Sequence, residues 1–270
     1  LAEQRGDFVA ARALLDELAV RPQVDPGVLV DRARVIERSG DRAAARAAWE
    51  QVLARQPAQP DALFAFASLL WQAGDEARAD QVIEAALRAQ PTPSAVLEGV
   101  ALRYFGTTGR HARALRSARR AAELAPADPA VLRALVMALL NAGERGEAES
   151  FASGLTTRFP DSPLAWGAYA TAAAVAGHYP AAGSAFERWV RLAPDDPDAH
   201  SSRGFFLHVS GDDPAARDVL AAGVARFPSF GTLWLNYAVV LEALGDPKAS
   251  EARRKAESLM TPEQRAHLVR

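Results

Sequence analysis

Residues 60–93 read PDALFAFASLLWQAGDEARADQVIEAALRAQPTP, and the fold of the chain is decided by this stretch. Pro60 suits a first helical turn, where its missing N–H costs nothing. Leu63, Phe66, Ala67 and Leu70 then recur at the spacings of one helical face. Gly74 supplies a stop of positive φ, and Asp75 is suited to cap a second helix. Val82, Ile83, Ala86 and Leu87 form the apolar stripe of that helix, and Pro91 prevents its continuation. Neither helix alone has an apolar face wide enough to be stable. Such a pair needs neighbours to stack upon.

The neighbours are present. Glycine followed by a polar residue recurs at Gly6, Gly40, Gly74, Gly109, Gly143, Gly177, Gly211 and Gly245, at intervals of 34 residues with a single 35. Five residues after each glycine stands Ala11, Ala45, Ala79, Ala114, Ala148, Ala182 and Ala216, with Ser250 ending the series. Pro57, Pro91, Pro126, Pro160, Pro194, Pro228 and Pro262 keep the same beat. Three residue types in one register mark an all-α array of antiparallel helix pairs. The expected units are a partial repeat at 1–25, full repeats at 26–59, 60–93, 94–128, 129–162, 163–196, 197–230 and 231–261, and a capping helix at 262–270.

Composition agrees with this. Hydrophobic residues make up 49% of the chain, enough for a continuous core, and alanine, the best helix former, is abundant. The absence of cysteine removes disulfides and thiolate chemistry. No apolar run of about 18 residues or more exists to span a membrane. A formal net charge of −2 argues against nucleic acid as a partner, because neutralising phosphates needs excess positive charge. Basic residues are almost all arginine, as in a GC-rich bacterial coding bias. Compartment stays open between bacterial cytoplasm and periplasm. The start at Leu1 leads us to expect an excised or mature fragment.

The slots of each repeat resemble the tetratricopeptide family. Leu29, Leu63, Leu97, Leu132, Trp166, His200 and Trp234 fill its bulky first-helix slot. Its small slot is filled by Ala33, Ala67, Ala101, Val136, Ala170, Gly204 and Ala238. Leu15, Trp49, Ile83, Ala118, Ala152, Phe186, Leu220 and, unusually, Arg254 stand in the bulky second-helix slot. The resemblance implies a single right-handed α-solenoid whose first helices line a concave groove. It also implies protein binding without catalysis or cofactor. An extra residue in Gly106-Thr107-Thr108-Gly109 is expected to splay one pair.

In that register the groove residues include Phe64, Trp71, Leu102, Phe105, Arg133, Met137, Leu140, Phe205 and His208, with Arg34, Glu37 and Ser68 beside them. The set is richer in large apolar residues than a solvated face, as interaction surfaces are. On this reading, Trp71→Ala and Phe105→Ala weaken partner capture and leave the thermal midpoint nearly unchanged. The lysine, arginine and asparagine that grip chaperone tails in part of the family are missing. A second surface is basic. Arg110, Arg113, Arg116, Arg119 and Arg120 crowd one helix, and an acidic protein or anionic polymer is its natural partner.

Catalytic signals are lacking. Glycines follow the repeat and do not cluster into a phosphate loop, and no HExxH spacing occurs. The five histidines are scattered, His200 in a packing slot and His208 with only Asp212 near it in sequence. The reading is a non-catalytic scaffold or adaptor for a protein or peptide segment, without metal or cofactor and of undetermined oligomeric state. Alternatives are a scaffold of bacterial envelope or exopolysaccharide secretion, and the regulatory arm of a larger enzyme such as a glycosyltransferase.

Overall fold

The structure, a computed structural model, describes residues 8–21 and 23–260. Residues 1–7 of the expected partial repeat at 1–25 and the expected capping helix at 262–270 lie outside the described residues. Among those described, the chain forms fifteen helices and no strand. α1 (Phe8–Ala19) stands alone. Seven pairs follow: α2 (Pro26–Arg38) with α3 (Arg42–Arg55), α4 (Pro60–Gln72) with α5 (Glu76–Ala89), α6 (Ala95–Thr107) with α7 (His111–Leu124), α8 (Pro129–Asn141) with α9 (Arg145–Arg158), α10 (Pro163–Ala176) with α11 (Tyr179–Leu192), α12 (Pro197–Val209) with α13 (Asp213–Arg226), and α14 (Gly231–Ala243) with α15 (Ala249–Leu259). No helix among the described residues is long and apolar enough to cross a membrane.

The repeated glycines do the work expected of them. Gly74 turns with φ +83°, and its counterparts from Gly40 to Gly245 are likewise positive. The Asp75 N–H then reaches back to the Leu70 carbonyl at 3.0 Å and the Gly74 N–H to Trp71 at 2.9 Å, which satisfies two end carbonyls of α4. The Asp75 carboxylate accepts from the Arg78 N–H at 3.3 Å and opens α5.

Within each pair the small residues meet. Ala33, Ala67, Ala101, Val136, Ala170 and Ala238 are fully buried, as are Ala45, Ala79, Ala148, Ala182 and Ala216 on the second helices. Small side chains at both series let the helix axes approach closely. At Gly204 the side chain of Leu220 occupies the space an added Cβ would need, so a side chain here would force Leu220 to shift.

Contacts gather into two compact units, one ending at Val131 and the other beginning at Leu132. The core of the first is continuous from Leu29 to Ala114 and includes Trp49, Phe66, Ile83 and Tyr104. Trp49 is buried to 1% exposure, and its indole N–H donates to Glu37 at 3.1 Å. In the second unit Phe186 stacks on Phe206 at 4.9 Å. Beyond them lie Leu220 with Leu233, and Leu241 with Ala249 and Ala252.

Two expectations need correction. The extra residue near Gly109 does not loosen its turn. It carries α6 one residue further past Tyr104 than α4 runs past Leu70. The closing bond then runs from the Arg110 N–H to the Phe105 carbonyl at 2.8 Å, and the Thr107 and Thr108 hydroxyls both donate to the Tyr104 carbonyl. Phe105 thereby takes the position in the cap that Leu70 and Leu139 hold in α4 and α8, and that position is buried.

The second correction concerns Arg254, which is exposed. α15 buries Ala249, Ala252 and Ala256, a face turned by about one residue from the repeat register. Burying an unpaired guanidinium is far costlier than rotating a terminal helix. The turn lets Arg253 grip Glu242 with two bonds of 2.7 Å each.

Candidate functional site

Each unit carries a cavity lined by residues of its first helices. In the first unit a cavity of about 470 Å³ extends across α2, α4 and α6. Phe64 and Trp71 line it, as the sequence predicts, together with Arg34, Glu37, Ser68 and Arg103. Both rings are half-buried and rest on the core beneath. The Arg103 guanidinium lies 3.7 Å over the Phe64 ring, a cation–π stack. Arg34 bonds Asp61 at 2.6 Å and Asp31 at 3.4 Å.

Leu102 is half-buried against the same core. Phe105 is not on this surface. It is 3% exposed, its ring meets Tyr104 edge-on at 5.2 Å, and Arg113 covers it at 4.0 Å. Its expected place in an open groove is therefore corrected, for the reason given above: the lengthened α6 draws it into the core.

In the second unit Met137 and Leu140 are half-buried on α8, and Arg133 is exposed. Arg133 acts on the start of α12. Burial, reinforced by Asp196, pushes the Asp198 carboxyl up, and the charge of Arg133 opposes that shift. Phe205 is 46% exposed and borders an apolar cavity of about 330 Å³ between α10 and α12. Its other walls are Ala174, Val175, Phe186, Phe206 and Val209, with Thr171, Tyr179 and Ser202 as the hydroxyl-bearing members. No charged side chain lines it. Val175, Tyr179 and Val209 are exposed at 42%, 45% and 56%. His208 lies beside Phe205, ring centroids 6.2 Å apart, and its Nδ1 is 2.5 Å from Asp213. Its partner is thus Asp213 of the next helix, not Asp212.

Sequence reading found Phe205 and missed Val175, Tyr179 and Val209. A signal was available. The position of Tyr179 is Arg42, Glu76, His111, Arg145 and Asp213 in other repeats, and that of Val175 and Val209 is Arg38, Gln72 and Asn141. In two neighbouring repeats the latter position turns to valine, and in the α10–α11 repeat the former turns to tyrosine.

The arginines of α7 are not a bare positive patch. Arg110 bonds Asp80 at 2.6 Å and Glu76 at 2.8 Å, and Arg113 pairs with Asp80 and Glu84. Arg120 bonds Glu123 at 2.7 Å. Arg116, Arg119 and Arg120 are exposed. Glu76, Asp80 and Glu84 come from α5, so α5 is tied to the start of α7 across successive repeats. Tyr104 completes the network, its hydroxyl donating to Asp80 at 3.0 Å. Burial pushes the Tyr104 phenol up to about 12; the Arg110 bond pulls it down and Asp80 adds to the rise.

Family models described as tetratricopeptide repeat match residues 30–93 and 107–172. No curated protein matches the chain in sequence. Among solved structures, a tetratricopeptide repeat protein of Parabacteroides merdae is similar with a TM-score of 0.64 at 15% identity, over 88% of this chain and 94% of that one. Yeast Tom70 is similar with a TM-score of 0.72 at 15% identity, over 98% of this chain and 57% of its own. A thermophilic tetratricopeptide-repeat protein of Thermus thermophilus gives 0.55 at 20% identity, over 63% and 95%. At such identities the likeness is one of fold.

Proposed function

Since the chain is a tandem-repeat protein of the tetratricopeptide family, we propose that it holds a partner's polypeptide segment against its first helices. Arrays of this family are protein-interaction scaffolds and are generally non-catalytic. The finer reading is that an apolar side chain of the partner seats between α10 and α12. The observation that carries it is the exposure of Val175, Tyr179, Phe205 and Val209 around one uncharged cavity. Leaving four large apolar side chains in water is unfavourable unless a partner covers them. The buried, stacked rings of Phe186 and Phe206 form the floor of this seat.

The test is selection from a random displayed peptide library on the immobilised chain. Peptides with an aromatic or aliphatic anchor are expected to enrich. A Phe205→Ser, Val209→Ser double variant, checked for an unchanged melting midpoint, is expected to lose them. Equal enrichment on both proteins would rule this seat out.

A further inference from the structure

The cavity of the first unit has a charge polarity that the apolar seat of the second lacks. On its α2 side Arg34 stands among three carboxylates, Asp31 and Glu37 of α2 and Asp61 of α4. That end carries a net negative charge. At its α6 end stands Arg103, and among the described residues no carboxylate pairs with it. Stacking on Phe64 uses the face of the guanidinium and leaves its in-plane N–H groups as donors. Between the two ends lie the half-buried rings of Phe64 and Trp71.

Arg103 differs in this from Arg34, Arg78 and Arg110, which are paired with acids. Arg103 is instead held by an aromatic ring at the lip of a cavity. The charges along the trough are therefore complementary to a ligand with opposite charges at its two ends. Two helix-to-helix steps of about 8–10 Å separate α2 from α6. An extended segment covers that span in about five or six residues at roughly 3.3–3.6 Å each.

We propose that this trough takes an extended partner segment with an acidic side chain on Arg103, a basic side chain toward Glu37 and Asp61, and an apolar side chain against Trp71. The proposal rests on the protein-binding reading but uses a different surface from the apolar seat. Guanidinium–carboxylate bonds of this kind are charge-assisted and directional, so they set the register of the segment as well as its affinity.

The experiment is a library selection with the peptide C-terminus fused, so that only side-chain carboxylates answer. On the wild type, enriched peptides are expected to carry an acid and a base about five residues apart with an apolar residue between. Arg103→Gln is expected to abolish the acid preference and to weaken a selected synthetic peptide about tenfold or more. Glu37→Gln, which still accepts the Trp49 indole N–H, is expected to weaken the preference for the base. An acid preference that survives Arg103→Gln, or enriched peptides without an acid, overturns the proposal. Peptides that depend on Phe205 and Val209 but not on Arg103 overturn it and leave the proposed function standing. No enrichment on any of these proteins counts against both.

Discussion

The Nε2 nitrogen of His200 stands 2.9 Å from the carbonyl oxygen of Pro194. In the adjoining repeats Trp166 and Trp234 set their indole N–H groups on Pro160 and Pro228 in the same way, at 2.7 and 2.9 Å. One slot thus makes one bond in three successive repeats, always to the proline six residues earlier. His200 substitutes for tryptophan because its ring also offers an N–H, and the bond requires the proton on Nε2. His200→Leu keeps an apolar contact with Phe227 but loses the bond, and is expected to lower stability by about 0.5–1.5 kcal/mol. His200→Trp is expected to equal or exceed the wild type. Denaturant curves of the three proteins decide the matter, and a leucine variant as stable as the wild type would dismiss the bond.

Tyr104 makes the first unit sensitive to alkali. Its phenol is held at about 12 in the fold against 10.0 ordinarily, chiefly by burial. Between those values the unfolded chain has released the proton and the folded chain has kept it. Stability is therefore fully present below about pH 10 and falls as pH rises toward 12. A tyrosinate absorbance titration of the native protein is expected to show one late-ionising phenol among the four tyrosines. Tyr104→Phe removes it. Four phenols titrating together would show that Tyr104 is not held as described.

Phe105 and Trp71 occupy the same slot by sequence spacing and have opposite fates. Trp71 is half-buried at a cavity wall, whereas Phe105 is core. Phe105→Ala is expected to cost about 3–5 kcal/mol through the cavity it leaves. Trp71→Ala is expected to change the thermal midpoint little and to weaken capture of any segment lying in the trough. Thermal scans of the two single variants separate the roles, and equal losses of stability would contradict the assignment.

The helices, their order and the positive-φ glycines were legible because each depends on local chemistry repeated seven or eight times along the chain. The fate of Phe105 was not. It depends on which side of the cap the extra residue falls, and both placements have the same spacing. The apolar seat was half legible. Val175, Tyr179 and Val209 stand at positions that other repeats fill with polar side chains. They become a site only when α10 and α12 are brought side by side. The pairing of Arg110 and Arg113 was not legible either, because their acidic partners lie about one repeat earlier, on α5.

The last described helix offers a further test of register. Spacing alone puts Arg254 in a buried slot, yet α15 presents Ala249, Ala252 and Ala256 to the core and leaves Arg254 exposed. Arg254→Ala is accordingly expected to shift stability by no more than about 0.5 kcal/mol, as exposed substitutions do. Arg253→Ala is expected to be the more damaging, since it frees Glu242 from two bonds that hold α14 to α15. Those bonds keep the Glu242 carboxyl below its ordinary range. Their contribution is present above the unfolded carboxylate pKa and is lost as pH falls through the folded value. Denaturation midpoints at neutral and acid pH check both statements. A large loss on Arg254→Ala, or an Arg253→Ala penalty that persists unchanged in acid, would mean that α15 packs in the register of the other repeats after all.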